Sequence, residues 1–320
     1  MQVLEPLKIT EGMIVASNLT ENDHPQWDTA TDYVLSDYVI SLATHQIYRA
    51  LKDNGPGSEV VDPDAEWAAI DDVFDLTNTA PVTWDRISAT NKFRLFDQSP
   101  SRITSNLAEI DITLVPGLLV NGLALFGLSA THVQITLTLG GVIQYDRTFD
   151  LSDNSEVIDW WSYYFAPIKE LDELIITNLL DNSNGEFRIK IFRSNGFAAC
   201  GEIVLGYLFD LGRTKSNPKI KLEDYSHIEL DQYGNLTTTV RDAVQIVDYE
   251  FWISGFKTRS AFKQIKALRG AKKAVFIGDK ESLLGVNTYG YVQDSEMKVS
   301  ASAGLDRANT FGKIKVKGVL

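Results

Sequence analysis

The feature that most constrains the fold is a series of short segments between residues 91 and 212 in which apolar and polar residues alternate. Residues 131–139 alternate strictly, and Gly140 and Gly141 separate them from a second apolar segment at 142–145. Alternation with a period of two gives a strand one apolar and one polar face. A glycine pair between two such segments is typical of a hairpin turn, so these residues are predicted to form a β-hairpin.

Similar segments recur in this region, at residues 110–116, 174–177, 186–192 and 203–208. A further apolar segment at 120–128 fits either a buried strand or a short helix, and its periodicity does not distinguish the two. About seven or eight short strands with regular turn signals indicate an antiparallel β-sandwich. We therefore predict a jelly-roll-like β-sandwich over residues 91–212.

The segment at residues 91–97 opens this region and is predicted to be an extended strand. Alternation then forms one face from Phe93, Leu95 and Asp97 and the opposite face from Arg94 and Phe96. Both faces carry a large apolar residue. We therefore expect this strand to lie between two packed surfaces, where the N-terminal residues enter the main β-structure.

The N-terminal residues 1–90 are predicted to form a separate unit. Two short β-segments, near residues 33–40 and 46–51, are joined by polar turns and have aromatic residues at both ends. A sheet this small cannot build a conventional core, so its aromatic side chains would have to supply the packing. Residues 71–90 are predicted to connect this unit to the sandwich.

Residues 213–320 are predicted to form a third unit with several strands and one helix. Residues 243–253, 274–278 and 311–319 have strand patterns. Residues 260–270 predict an amphipathic helix with apolar residues three apart and Gly270 as its C-terminal stop. The expected architecture is a β-sandwich flanked by one helix, which makes the whole protein mainly β.

The last strand pattern has a basic face, because three lysines alternate with apolar residues there. These assembly-face candidates are Lys313, Lys315 and Lys317. Lysines on a terminal strand can prevent edge-to-edge pairing in a monomer. They can equally offer a basic face to an acidic partner, and the sequence leaves both interpretations open.

The charge is unevenly distributed along the chain. Residues 1–212 carry 12 basic and 31 acidic side chains, about −19 in net charge, whereas residues 213–320 carry 18 and 12, about +6. This break near Gly212 suggests a domain boundary. The basic unit either packs on an acidic neighbour, including another copy, or reflects a chance imbalance on solvated surfaces, and the sequence leaves both interpretations open. The total of −13 argues against a general nucleic-acid or membrane-surface binder, so neither is an expected partner.

The sequence contains no signature of a catalytic or metal site. Four histidines occur without His-x-x-x-His or Cys-x-x-Cys spacing, and no nucleophile-elbow or phosphate-binding glycine motif is present. The single cysteine, Cys200, stands among apolar residues and is predicted to be buried. Acid pairs such as Asp62/Asp64 and Asp71/Asp72 are predicted to face solvent. We expect no enzyme activity, metal or cofactor.

The densest aromatic run is Trp-Trp-Ser-Tyr-Tyr-Phe at residues 160–165. Alternation predicts that Trp161, Tyr163 and Phe165 pack in the core. Trp160 and Tyr164 would then lie on the opposite face, where they could form an exposed patch for a sugar or a protein.

Residues 24–70 resemble the small carbohydrate-binding modules of chitinases, cellulases and phage tail proteins. The matching positions are Trp27, Tyr33, Asp37, Val39, Tyr48, Ala50 and Trp67, and Ser36 replaces the glycine of the family pattern. The resemblance implies sugar binding through exposed aromatic rings. Its candidates are Trp27, Tyr33, Tyr38, Tyr48 and Trp67, with Trp160 added from the aromatic run. The competing interpretation is that Trp27, Tyr38 and Tyr48 form the core of a very small domain.

Most of residues 91–280 resembles a family of tailed-phage tail proteins. The similar segments are Asn91-Lys-Phe-Arg-Leu-Phe-Asp97, Val115-Pro-Gly-Leu-Leu-Val-Asn-Gly-Leu-Ala-Leu125, Cys200-Gly-Glu-Ile-Val-Leu-Gly-Tyr207 and Asp231-Gln-Tyr-Gly-Asn235, with shorter ones at 211–212, 223–226, 268–270 and 276–278. The C-terminal pattern is also similar to tail-tube and distal-tail folds, which assemble into rings without catalytic residues.

Three hypotheses follow for the function. The first is a structural virion protein of the tail tip, baseplate or head–tail adaptor, whose partners are other tail proteins and copies of itself. The second is a carbohydrate-binding protein that recognises a host-surface glycan. The third is a polysaccharide hydrolase, for which no acid pair can be singled out. Because no secretory signal or apolar run of about 20 residues is found, we expect synthesis in the host cytoplasm and no membrane insertion.

Overall fold

The protein is described here by a computed structural model. The residues it describes are 1–53, 62–72, 83–153, 157–165, 169–215, 218–230, 234, 236–268, 270, 272–278, 286–299 and 309–319. These residues form a mainly β protein, which confirms the predicted fold class. Three α-helices are present in them: α1 (Pro63–Asp72), α2 (Trp160–Phe165) and α3 (Thr258–Ala267).

The strands of the first two thirds of the chain are β1 (Gln2–Pro6), β2 (Ile14–Ser17), β3 (Tyr38–Ser41), β4 (Gln46–Ala50), β5 (Trp84–Ala89), β6 (Thr104–Leu114), β7 (Gly122–Phe126), β8 (His132–Leu139), β9 (Val142–Asp150), β10 (Ser152–Asp153), β11 (Lys169–Glu170), β12 (Glu173–Ile176), β13 (Glu186–Cys200) and β14 (Glu202–Asp210). The remaining strands are β15 (Arg213–Thr214), β16 (Lys219–Asp224), β17 (His227–Leu230), β18 (Leu236–Thr239), β19 (Ala243–Ser254), β20 (Lys273–Ile277), β21 (Thr288–Val299) and β22 (Asn309–Gly318).

A ten-stranded sheet is the largest element and has the strand order β12-β7-β14-β1-β20-β21-β22-β19-β15, with β16 also paired to β19. The N-terminal strand β1 lies inside it, because Leu4 is opposite Leu208 on one side and Val275 on the other. The sheet therefore runs continuously across the predicted boundaries at residues 90 and 212. Whether residues 1–90, 91–212 and 213–320 behave as separate domains stays a prediction.

A second sheet of five strands has the order β2-β6-β13-β8-β9 and includes the predicted hairpin of β8 and β9. One apolar cluster takes Ile112 and Ile189 from this sheet together with Leu123 and Ile203 from the large sheet. Residues 120–128, for which the sequence did not distinguish a strand from a short helix, contain strand β7. The jelly-roll arrangement stays a prediction.

Helix α3 packs on the C-terminal part of the large sheet, where Ala261 and Ile265 join a buried cluster with Tyr249 and Phe276. This confirms the helix at the predicted place. Phe262, one of the apolar residues that set its predicted face, is 58% exposed. Successive residues of an α-helix are about 100° apart around its axis. Phe262 therefore lies about 100° from Ala261, outside the buried face that Ala261 and Ile265 form.

The N-terminal unit is a three-stranded sheet of β3, β4 and β5 with α1 beside it. Residues 71–90 were predicted to be a connecting segment, but Trp84 within it is fully buried in the core of this unit. Helix α1 was also missed. Its start carries a usable signal, because Asp62 precedes Pro63 and its Oδ1 accepts a hydrogen bond of 2.9 Å from the Asp64 amide.

The predicted strand at residues 91–97 is wrong, because Arg94–Phe96 forms a 3-10 turn. The Thr90 carbonyl accepts hydrogen bonds of 2.9 Å from the amides of both Phe93 and Arg94, which closes the chain into a turn after β5. Alternation over so few residues does not separate an extended strand from one helical turn. The expectation that Leu95 packs inside is correct, since it is fully buried.

The predicted strand at residues 160–165 is also wrong, because these residues form α2. Its start is stabilised by Asp159, whose Oδ1 accepts a 2.7 Å hydrogen bond from the Ser162 amide. This side-chain cap supplies a partner for a backbone N–H that a helix start leaves free. The local Asp-x-x-Ser arrangement thus overrides the alternating pattern.

Strand β22 is not an edge strand, which corrects one interpretation of its lysines. It pairs with β19 on one side and β21 on the other. Its alternation is as predicted, with Ile314 and Val316 fully buried. Because the backbone of β22 is already paired on both sides, its lysines are not needed to block edge-to-edge pairing.

Candidate functional site

The most unusual surface of the protein is formed by α2 and the residue before its cap, which we call the aromatic tip (residues 158–165). Its side chains are exposed by between 66% and 87%: Ile158, Trp160, Trp161, Tyr163, Tyr164 and Phe165. Trp161, Tyr163 and Phe165 were predicted to be core, and this is wrong. Rings of the tip pack against one another, for example Trp161 and Phe165 at 5.4 Å between centroids.

A short two-stranded ribbon precedes and follows the aromatic tip in the chain. Strands β10 and β11 pair with Ser152 opposite Glu170, so the chain leaves and returns at the same place. Glu170 is fixed to the body of the protein by Arg193, with 3.0 Å between Nη2 and Oε1. Hydrogen bonds between Asp159 and Ser162 stabilise the start of α2. The same bonds lower the pKa of the Asp159 carboxyl.

Two of the predicted sugar-binding residues belong to the core of the N-terminal unit. Tyr48 is 1% exposed, and its hydroxyl donates to Asp64 at 3.0 Å. Tyr33 is buried against Trp84, with 5.4 Å between the ring centroids. Burial of Tyr48 raises the pKa of its hydroxyl to about 12. A buried ring offers no face to a sugar, so Tyr33 and Tyr48 serve to pack this unit.

The other candidates in the unit are partly accessible but already in contact with neighbours. Trp67 is half-buried, with its indole N–H donating to the Trp84 carbonyl at 3.1 Å and Arg86 over its ring at 4.7 Å. Trp27 is half-buried beside the same core. Tyr38 is 38% exposed and stacked on His24 at 5.0 Å. The structure therefore does not assemble these rings into one open platform, and the exposed Trp160 lies in a different element.

The acid residues predicted to face solvent include one with a structural role. Asp64 is half-buried and accepts hydrogen bonds from the hydroxyls of Ser41, Thr44 and Tyr48. It thereby joins α1 to the three-stranded sheet, which corrects its prediction as a solvent-facing residue. The side chains of Asp71 and Asp72 lie outside the described residues.

A groove of about 610 Å³ lies where the ends of β7, β12, β19 and β21 meet. Glu173 lines it beside Asp172, and burial together with the Asp172 charge raises the pKa of the Glu173 carboxyl to about 7. Such a carboxyl exchanges protons near neutral pH. The stacked rings of Phe126 and Tyr289 form part of its wall, at 5.1 Å between centroids. The sequence did not predict this groove, because its residues are brought together only by the pairing of strands.

A buried carboxyl lies in the strand next to Phe126. Glu202 is 2% exposed and is opposite Phe126 in the register of β7 and β14. Burial and the nearby Asp97 raise the pKa of Glu202 to about 9. Asp97 has a raised pKa as well, chiefly through burial. Among the described residues, no group of three or more His, Cys, Asp or Glu side chains is arranged to hold a metal ion.

The assembly-face lysines of β22 face acidic partners within the chain. Lys317 forms an ion pair with Glu223 at 2.9 Å, and hydrogen bonds to Tyr225 and Glu223 raise its pKa. Lys313 lies 3.8 Å from Asp248, and Lys315 is opposite Asp248 in the strand register. Much of the positive charge of this face is therefore balanced internally.

No relative identifies this chain. No family model matches the sequence, no curated protein matches it, and no solved structure matches the fold.

Proposed function

We propose that this chain is a structural subunit of a phage tail, placed at the tail tip, baseplate or adaptor region of the virion. The observation that carries its assembly role is the aromatic tip, since soluble monomers rarely expose so large a contiguous apolar patch. The segments between residues 91 and 280 that resemble tail proteins support the phage context. The expected partners are copies of this chain and other tail proteins, and the role needs no catalytic residue.

The uneven charge supports assembly between copies. The acidic first two thirds and the basic last third of one chain attract the opposite parts of another. In the described residues no helix is long and apolar enough to cross a membrane.

The test is the absolute mass of the purified protein by light scattering, over a range of protein concentrations and at low and high salt. We expect a particle of several subunits that dissociates partly at high salt, because screening weakens attraction between exposed charges. A protein that stays monomeric at every concentration and salt would contradict self-assembly.

The second candidate is carbohydrate binding, and the exposure of Trp160 favours it. An indole ring that is 78% exposed offers a face on which a pyranose can stack. On a glycan array, Trp160→Ala should abolish binding while Ile143→Ala, another exposed apolar position, should not. Binding that survives Trp160→Ala would remove this residue as the sugar platform.

A further inference from the structure

We propose that the aromatic tip of one copy docks on helix α3 of a second copy of this chain. The receiving surface, which we call the basic face, is formed by Phe256, Arg259, Phe262, Lys263 and Lys266. This inference rests on the proposed function, because it names the two surfaces through which copies assemble.

The size of the aromatic tip indicates a protein partner. Five aromatic side chains are each exposed by 66% or more. Since a buried aromatic side chain contributes about 150–250 Å², the tip offers roughly 700 Å². A stable interface buries about 800 Å² on each partner. The tip therefore supplies most of one side of a standard interface, whereas a single sugar ring would cover only a small part of it.

The basic face has the complementary apolar centre. Phe256 and Phe262 are 68% and 58% exposed. Phe256 lies in the 3-10 turn Gly255–Lys257 just before α3, and Phe262 lies in the middle of α3. Arg259, Phe262 and Lys266 are spaced three and four residues apart, so they share one side of the helix. Phe262 lies at the border of the buried side formed by Ala261 and Ile265, and Arg259 and Lys266 lie further toward solvent.

The charges of the two surfaces are opposite. Residues 150–173 contain seven acidic side chains and one basic side chain, although Glu170 is already paired with Arg193 and Glu173 lines the groove with a raised pKa. Residues 255–273 contain seven basic side chains and no acidic one, of which Lys257 and Lys272 are paired within the chain. No ion pair involving Arg259, Lys263 or Lys266 is found within the part of the chain that the structure describes. These cations are therefore available to an acidic partner, and a second copy carries one around its aromatic tip.

The two surfaces lie on different elements, so each contact joins unlike surfaces of two copies, either head-to-tail or reciprocally in a two-fold pair. A repeated head-to-tail contact closes into a ring when the rotation between subunits allows it, and otherwise forms a filament. A two-fold dimer in which tip meets tip would instead bring the acidic residues near one tip toward those of the other, which like-charge repulsion opposes.

The test uses two single variants, Trp161→Cys and Phe262→Cys, each at an exposed position. The natural cysteine is buried, so it does not react in the folded protein. We expect a short bifunctional maleimide to link subunits efficiently in an equal mixture of the two variants and poorly with either variant alone. A mixture of Trp161→Cys with Ile143→Cys, which carries its cysteine on exposed β9, is the matched control.

A second experiment reverses the charge of the basic face and needs no crosslink. Lys263→Glu combined with Lys266→Glu should raise the dissociation constant of the assembly at least tenfold, about 1.4 kcal/mol, and should leave the thermal midpoint nearly unchanged because both lysines are exposed. The control is the same double change at the exposed Lys219 and Lys221 of β16.

The outcomes separate this inference from the proposed function. If the protein assembles but positions 161 and 262 do not crosslink, the aromatic tip does not dock on the basic face, and self-assembly remains supported. The same holds if Trp161→Cys crosslinks efficiently by itself. If the protein binds neutral lipid vesicles through the aromatic tip and does not self-associate, the partner of the tip is a membrane and not a second copy. A monomer under all conditions overturns both proposals.

Discussion

At the scale of single residues, the buried carboxyl of Glu202 costs the protein stability at neutral pH. Its pKa in the folded protein is raised from 4.5 to about 9. Between these two pH values the unfolded chain has released the proton while the folded protein still holds it. The free energy of unfolding therefore falls as the pH rises through this window, by up to about 1.4 kcal/mol per pH unit for one group.

We expect Glu202→Gln to stabilise the protein, because glutamine resembles the protonated acid but has no proton to lose. The gain should be on the order of 2 kcal/mol or more at pH 8 and should shrink as the pH approaches 5. Urea denaturation at several pH values measures it. Glu186→Gln, at an exposed position of β13, is the control and should show no such pH-dependent gain. A gain that does not depend on pH would contradict the raised pKa.

Ser36 has a backbone conformation that glycine adopts more readily than serine. Its φ is +75°, in the left-handed region that a side chain disfavours. The turn is nevertheless held, because the Ser36 amide donates to the Ala50 carbonyl at 2.8 Å.

Ser36→Gly should therefore stabilise the N-terminal unit by about 0.5–1 kcal/mol, since relief of the strained φ outweighs the greater freedom of glycine in the unfolded chain. Thermal unfolding followed by Trp fluorescence measures the effect. Ser17→Gly, in the extended strand β2, should have the opposite sign. Equal effects at the two positions would show that the backbone of residue 36 is not strained.

At the scale of elements, strands β1 and β14 approach closely at Gly206. This residue is opposite Pro6 in the register, and a Cβ atom there would lie 1.9 Å from the Glu5 carbonyl oxygen. The strand pair can form only if position 206 has no side chain or if the backbone moves.

Gly206→Ala is expected to destabilise the protein by more than about 2 kcal/mol, because the added methyl group would separate β1 from β14. Chemical denaturation gives the difference. Gly12→Ala is a suitable comparison, since a Cβ there meets no atom within 4 Å, and it should be nearly neutral. A neutral result for Gly206→Ala would mean that β1 is not paired there.

At the scale of the whole molecule, β1 connects parts of the chain that are distant in sequence. Leu4 is fully buried and packs in one cluster with Val204 of β14 and Val275 of β20. Residues from the first, second and third predicted units thus share one sheet and one core. Loss of this contact should weaken both neighbours of β1.

Leu4→Ala should lower the free energy of unfolding by about 2–5 kcal/mol, through lost burial and the cavity it leaves. In hydrogen exchange, the amides of β14 and β20 should lose protection together. Val15→Ala, at a position that is 62% exposed, should change neither. Loss of protection in β20 alone would show that the C-terminal strands unfold as an independent unit.

The sequence by itself determined the mainly β class, the hairpin of β8 and β9, helix α3 and the alternation of Ile314 and Val316 with lysines. These features depend on side-chain periodicity and on glycine turn signals, which are local in the chain. It also predicted correctly that Cys200 is buried. It failed at residues 91–97 and 160–165, where a few hydrogen bonds of Thr90 and Asp159 decide between a strand and a helical turn.

Only the tertiary structure decided which strands are neighbours and which aromatic residues are left outside. The central position of β1, the groove at Glu173 and the burial of Trp84 depend on contacts between residues far apart in sequence, which no local pattern encodes. The exposure of the aromatic tip has the same origin. A run of aromatic residues predicts burial, and only the absence of an opposing surface among the described residues leaves it in water, where a partner can bind it.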